Sequence, residues 1–309
     1  MSVTIDIVVV TRNRPEMIAR CLASLAEHVP EQSRVVVVDA SDGSQTREIT
    51  ANYPNVEYVY FDNGCDQRPQ AKNIGAARCD ADVIAFLDDD SVVHAGWMDA
   101  LAAVYCDDTI GCVGGGIEEP GTEWNPNEPV GRVLPNGDLS QNFATTHKEL
   151  IDVDHVKGCN MSFRREVFEQ LCGFDPGYTG DNIREETDIC VGVLRLGKRV
   201  VFCPWAVVTH MRAPRETVTR DLADPRKIFY GARNHVYFLL KYYRKDRLKL
   251  RTSYLTAVWR QVRWLRPNSS FLPRVWLILV TIAGNISGTF AALTSRRAWA
   301  AWRMGKVTS

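Results

Sequence analysis

Val83-Ile84-Ala85-Phe86-Leu87-Asp88-Asp89-Asp90 runs five apolar residues straight into three carboxylates. A continuous apolar run of this length reads as a strand buried on both faces. Three adjacent carboxylates repel one another unless something positive sits among them. Hard oxygen ligands suit Mg²⁺ or Mn²⁺, and Mg²⁺ commonly bridges one or two carboxylates to substrate phosphates. A solvated acidic turn is the plain alternative. A position at the end of a buried strand favours the site.

Outward from this stretch the same pattern recurs. Ile5 to Val10 and Val35 to Val38 are further apolar runs, and Val56 to Phe61 makes a third strand. Between them Arg14 to Glu27 has helical spacing, with Pro15 in its first turn. Caps in Asp39-Ala40-Ser41-Asp42-Gly43-Ser44 predict a helix through about Ala51, and another is predicted over Pro69 to Cys79. Strands alternating with helices imply right-handed crossovers and a parallel sheet. Ligands of such sheets bind beyond the carboxyl ends of the strands. Asp39, Asp88, Asp89 and Asp90 fall there. Downstream, Pro120 to Asp138 reads as a long loop or lid, and order resumes near Val156. A helix from Glu186 to Leu196 stops at Gly197, and Val200 to Phe202 is a strand.

Zero net charge over 309 residues conceals two halves. Residues 1–210 hold 17 Lys/Arg against 33 Asp/Glu, a net of −16, whereas residues 211–309 hold 20 against 4, a net of +16. Five of the eight Trp also lie in that last part. The split predicts two regions with different partners, a front over 1–215 and a tail over 216–309. Val275 to Ser295 is free of charge, with Arg274 on one flank and Arg296-Arg297 on the other. It is long enough to span a bilayer, but Gly284, Asn285, Ser287 and Gly288 dilute it. A helix lying in the interface fits as well, as does one packed in a soluble subdomain. The cations predict attraction to an anionic membrane surface; no recognised module supports nucleic acid as a partner. Nine scattered Cys without C-x-x-C pairs read as core thiols. The first six residues lack a leader's basic start, so we expect work at the cytoplasmic face of the membrane.

The chain resembles the family 2 glycosyltransferases of the GT-A fold. The matching pieces are Val10-Thr11-Arg12-Asn13-Arg14, Val38 to Ser44, Ala71-Lys72-Asn73-Ile74-Gly75-Ala76-Ala77 and Leu87 to Asp90. Lys157 to Arg165, Gly173-Phe174-Asp175, Glu185-Glu186-Thr187-Asp188 and Val207-Val208-Thr209-His210 follow in order. The resemblance implies a Rossmann-like α/β domain, mostly parallel and flanked by helices, with a donor half over about 1–115 and an acceptor half over 116–215. It implies a nucleotide-sugar donor and a Mn²⁺ or Mg²⁺ cofactor. Asp39 would meet the base, with Thr11 and Arg12 in the same pocket. Lys72 would stand near base or phosphates, where the family commonly has Arg. Asp88 and Asp89 would face the donor. Asp90, Asp88 and His210 would hold the metal, and Asn160 and Arg164 would line the acceptor side. Asn63, Asp66 and Arg68 are further candidates for the sugar pocket.

The chemistry asks for such a set. Charge builds on the leaving diphosphate, and an acceptor hydroxyl needs a carboxylate base. The family's base is the second residue of a Glu-Asp pair, which lands on Glu186; Glu185 and Asp188 are alternates. Here Glu replaces the usual Asp. These acids open a helix, whose macrodipole favours their ionised form and by itself explains acids as capping. One base and one displacement would invert the anomeric carbon.

Two rivals fall on one observation: Thr11-Arg12-Asn13-Arg14-Pro15 has no glycine, where a dinucleotide-binding dehydrogenase or a sugar-nucleotide pyrophosphorylase would carry a Gly-rich turn. A non-catalytic nucleotide-binding scaffold at the membrane is the remaining alternative. Gln261-Val262-Arg263-Trp264 is one residue short of the processive synthases' Gln-x-x-Arg-Trp, which favours a non-processive enzyme adding to a glycan or lipid-linked acceptor.

Overall fold

A computed structural model describes residues 3–62, 67–122, 124–125, 127–135, 137–211, 224–242 and 271–305. The chain divides into two compact units. The first comprises Met1–Val133, Leu139–Asp175 and Glu185–Pro214; the second comprises Leu134–Asp138, Pro176–Arg184 and Arg215–Ser309.

In the first unit the apolar runs become strands β1 (Ile5–Thr11), β2 (Val35–Asp39), β3 (Val56–Tyr60) and β4 (Val83–Asp88). Helices α1 (Pro15–His28), α2 (Gln45–Thr50) and α3 (Arg68–Ala76) connect them. After β4 come β5 (Ser91–Val93), α4 (Trp97–Val104), β6 (Ile110–Glu118), β7 (Ile151–Asp152), β8 (Asn160–Arg164), α5 (Arg165–Gln170), α6 (Glu185–Arg195) and β9 (Arg199–His210). The described strands form one sheet in the order β3-β2-β1-β4-β8-β6-β9-β5, with β7 also on β9. β3, β2, β1 and β4 are parallel, as their crossovers require. Beyond β4 the sheet is mixed: β8 is antiparallel to both β4 and β6, and β9 is parallel to β6.

The core lies on both faces of this sheet. Phe86 of β4 is fully buried among Phe163, Phe168 and Phe174, with ring centroids 5.0–6.0 Å apart. Such offset and edge-to-face pairs add to the area that they bury. β6 escapes a reading by apolar pattern because Gly114-Gly115-Gly116 interrupts it. Backbone proximity explains the middle glycine: a Cβ on Gly115 would collide with the Ala206 carbonyl and the Asn160 amide. Residues 120–138 carry no helix or strand among those described, apart from a bridge between Val133 and Leu139.

The second unit holds α7 (Pro225–Tyr242) and α8 (Phe271–Gly305), packed side by side. The front-and-tail division expected at 215/216 places 134–138 and 176–184 with the front; the structure gathers both with the tail. Among the described residues one helix is long and apolar enough to cross a membrane, over Val275–Ser295, with 39% of it buried inside the protein. The described cysteines are all free. Asn63, Asp66 and the Gln261–Trp264 segment lie outside the described residues.

Candidate active site

Register brings the strand ends together. Thr11 pairs with Asp39 across β1 and β2, and Val10 pairs with Asp88 across β1 and β4. The loops beyond are tied to each other: Asn13, at φ 50°, exchanges hydrogen bonds of 2.8 and 2.9 Å with Asp42, and its N–H donates to Ser41 Oγ at 2.7 Å. Asp39 is fully buried and accepts from the Ser41 N–H at 2.9 Å, the Ser41 hydroxyl and the Tyr58 hydroxyl at 3.0 Å. Arg12 follows β1 with its Nε and Nη1 buried and unbonded among the described residues. Two buried donors without partners mark a place that an acceptor group can fill.

The three aspartates after β4 have three different surroundings. Asp89 is buried, accepts from Thr11 Oγ1 at 2.7 Å and pairs with Arg14 Nη1 at 2.7 Å. Burial pushes its carboxyl up to about 7, against the pull of Arg14. Asp90 receives Arg14 at 3.5 Å and His210 Nε2 at 3.2 Å. Asp88 stands at the strand end, partly exposed. His210 ends β9, antiparallel to Ser91 of β5, so β5 carries the imidazole back beside the aspartates. One ligand atom each from Asp88, Asp90 and His210 lies within 4.8 Å of the others. That spacing suits a divalent cation with ligand bonds near 2.2 Å.

Glu119 was not legible as part of this site. Its carboxylate is completely buried and accepts from His210 Nδ1 at 2.8 Å and from Lys157 Nζ. A carboxylate on one ring nitrogen turns the other toward a metal position. Burial alone would lower the His210 pKa; hydrogen bonds to Asp90 and Glu119 and the charge of Asp88 push it instead up to about 9. Arg14 was likewise missed. The only sequence signal for either is a charged residue at a strand end or helix start.

The acidic opening of α6 meets α3. Lys72 Nζ lies 2.8 Å from Glu185 Oε1, both side chains 4% exposed, and sits 5.0 Å over the Phe174 ring. Asn73, the next residue, exchanges two 2.8 Å hydrogen bonds with the Phe174 backbone. The Ala71-Lys72-Asn73 and Gly173-Phe174 motifs therefore act as one joint under the helix start. Glu186 is half-buried, and a Cβ on Gly158 would lie 3.7 Å from its Oε1 and 3.8 Å from Lys72 Nζ. Burial and the charge of Glu185 raise the Glu186 pKa above the ordinary carboxylate value, with Lys72 pulling the other way. The backbone N–H at the helix start favours the ionised form, as expected, but burial and Glu185 outweigh it. Asp188 is buried.

Two acceptor-side expectations change. Asn160 is buried and fully engaged: its Oδ1 accepts from Trp97 Nε1 at 3.0 Å, and its Nδ2 donates to the Gly116 and Ala206 carbonyls. It knits β8, β6 and β9 together. Arg164 pairs with Val83, at the opposite end of β4 from Asp88, about 16 Å away at about 3.3 Å per residue. There it donates to the Tyr105, Asp107 and Ile110 carbonyls. The extended backbone of β8 separates these two residues, and its antiparallel register with β4 puts Asn160 at the Asp88 end and Arg164 at the other.

Comparison with known proteins identifies the family and the fold. The profile of "Glycosyl transferase family 2" matches residues 6–172. The "Pre-mycofactocin glycosyltransferase" of Mycobacterium tuberculosis is 27% identical over 231 residues, 74% of this chain and 46% of that protein. The chain thus spans about half the length of that relative. The "Glucosyl-dolichyl phosphate glucuronosyltransferase" of Haloferax volcanii is 23% identical, covering 68% of this chain and 69% of its own. Among solved structures, GalNAc-T7 with UDP, GalNAc and Mn²⁺ superposes with a TM-score of 0.62 at 17% identity, over 92% of this chain and 55% of that one. The mannosyltransferase PcManGT of Pyrobaculum calidifontis, in complex with GDP-Man and Mn²⁺, gives 0.57 at 18% identity, over 94% and 88%.

Proposed function

The chain belongs to glycosyl transferase family 2, and from that premise we propose that it moves a sugar, with inversion, from a nucleotide-sugar donor to an acceptor hydroxyl. The observation that carries the reading is the convergence of Asp88, Asp90 and His210 at the carboxyl edge of the sheet. Fold neighbours that hold Mn²⁺ with UDP or GDP-Man support a divalent cation and a nucleotide donor.

Asp88, Asp90 and His210 would hold the cation, which supplies Lewis-acid stabilisation of the departing diphosphate. Thr11, Arg12 and Asp39 receive the nucleotide, Arg12 with its two unbonded donors. Glu186 takes the proton of the acceptor hydroxyl as that oxygen attacks the anomeric carbon and the bond to the nucleoside diphosphate breaks. Its raised pKa makes it a stronger base than an ordinary carboxylate. Glu185, already held by Lys72, anchors the helix start beside it.

The acceptor is a glycan or lipid-linked intermediate, and the protein works at the cytoplasmic face of a membrane through its basic tail. A relative acting on a glucosyl-dolichyl phosphate supports this. The experiment is a screen of UDP- and GDP-sugars for Mn²⁺-dependent thermal stabilisation and donor turnover. Failure of every nucleotide sugar to shift the melting temperature would end the transferase reading.

A further inference from the structure

Length alone leaves Val275–Ser295 able to cross a bilayer, since 21 helical residues reach about 32 Å. What α8 packs against decides otherwise. One face carries Trp276, Leu279, Ile282, Ile286, Phe290 and Leu293, each 42–67% exposed and spaced three or four residues apart. The other face is buried: Leu277, Thr281, Asn285 and Ala292 are at most 8% exposed. Gly284 and Gly288 let α7 approach so closely that a Cβ on either would run into the Phe229 or Arg233 carbonyl. Tyr237 donates to Ser295 Oγ at 2.9 Å. The contacts 229–284, 233–288 and 237–295 show that α7 runs parallel to α8, along the C-terminal half of its apolar stretch.

A crossing α8 would drag this company into the hydrocarbon. Arg233 sits opposite Gly288, about 10 Å in from Ser295 at about 1.5 Å per residue. Its Nη1 donates to the Gly177 carbonyl at 2.8 Å and to Asn234 Oδ1 at 2.7 Å. Asn234 in turn donates to the Thr179 carbonyl at 2.9 Å, so the irregular segment 176–184 would be carried along. An arginine at that depth and a stretch of irregular backbone both carry a high cost in hydrocarbon.

We propose that α8 is a monotopic helix that lies in the surface of an anionic lipid leaflet, its Trp276–Leu293 face toward the acyl chains, without crossing. This deepens the membrane part of the function proposed above and does not depend on the transferase part. The occupant follows from charge. The stripe belongs to a region with 20 Lys/Arg against 4 Asp/Glu, and Arg274 and Arg296-Arg297 bracket it in sequence. Headgroups match cations at both ends of an in-plane helix, and Trp276 suits the same depth. A second copy seated stripe to stripe would bring two such cationic regions together.

The test uses the full chain with a C-terminal tag, added to preformed phosphatidylcholine vesicles containing about a quarter phosphatidylglycerol. We expect the wild type to float with the vesicles and its tag to be cut completely by external protease. Ile286→Glu with Phe290→Glu should weaken flotation by about tenfold or more at an unchanged melting temperature, since both side chains are exposed. A protected tag would mean a crossing helix and overturn the proposal. So would a double variant that floats like the wild type, or a wild-type dimer in free solution that the double variant breaks. Each readout is independent of sugar transfer.

Discussion

Lys72 and Glu185, 113 residues apart in sequence, form a buried ion pair at 2.8 Å directly beneath the start of α6. Lys72 is expected near the donor's base or phosphates, and the pair also ties α3 to the acidic helix that carries Glu186. Removing one partner leaves the other charged and buried. Lys72→Met should therefore cost about 3–5 kcal/mol, measured by chemical denaturation, and Lys72→Met with Glu185→Leu should recover most of that loss. A single variant as stable as the wild type would show that the pair contributes nothing.

Glu186 and Glu185 are adjacent but separable. Glu186→Gln should lower turnover by about 10²–10⁴-fold while nucleotide-sugar affinity stays within a few fold. Glu185→Gln should act mainly on stability, because its partner is Lys72. Turnover and donor titration on both variants decide it; a loss of chemistry confined to Glu185→Gln would move the base to that residue.

His210 makes stability depend on pH with a defined sign. Its pKa rises from 6.5 to about 9 on folding, so its contribution is complete below about 6.5 and disappears as pH climbs through about 9. The full effect is about 3 kcal/mol, at about 1.4 kcal/mol per pH unit. Denaturation of metal-free protein between pH 6.5 and 9 should show this decline, and His210→Ala should flatten it. Because a metal ligand must be unprotonated, Mn²⁺ binding should also release a proton over this range, readable by calorimetry in buffers of different ionisation enthalpy.

Glu119 should matter to metal affinity without touching the ion. Glu119→Gln should weaken Mn²⁺ binding by about 10–100-fold, measured by calorimetry or by the spin resonance of free Mn²⁺. Asp90→Ala should abolish it. An unchanged Mn²⁺ affinity in Glu119→Gln would mean that the Asp90 contact alone orients His210.

The apolar runs, the helices between them and the aspartates closing β4 were all readable along the chain, because each depends on neighbours a few residues away. Strand period, capping and turn chemistry are local, and parallel crossovers then place every carboxyl end on one edge. β6 was not readable, since Gly114 to Gly116 carry no apolar pattern and are explained only by close neighbours remote in sequence: Val156 at Gly114, Ala206 and Asn160 at Gly115, Pro204 at Gly116. The placing of Asn160 at the aspartate end of β4 and of Arg164 at the far edge came from antiparallel register, and the joining of Glu119 to His210 from a 91-residue span. For α8 the sequence determined that an uncharged, helix-length stretch exists within a cationic tail. Only packing decided which face is covered, because Gly284 and Gly288 specify a close approach without naming the helix that makes it.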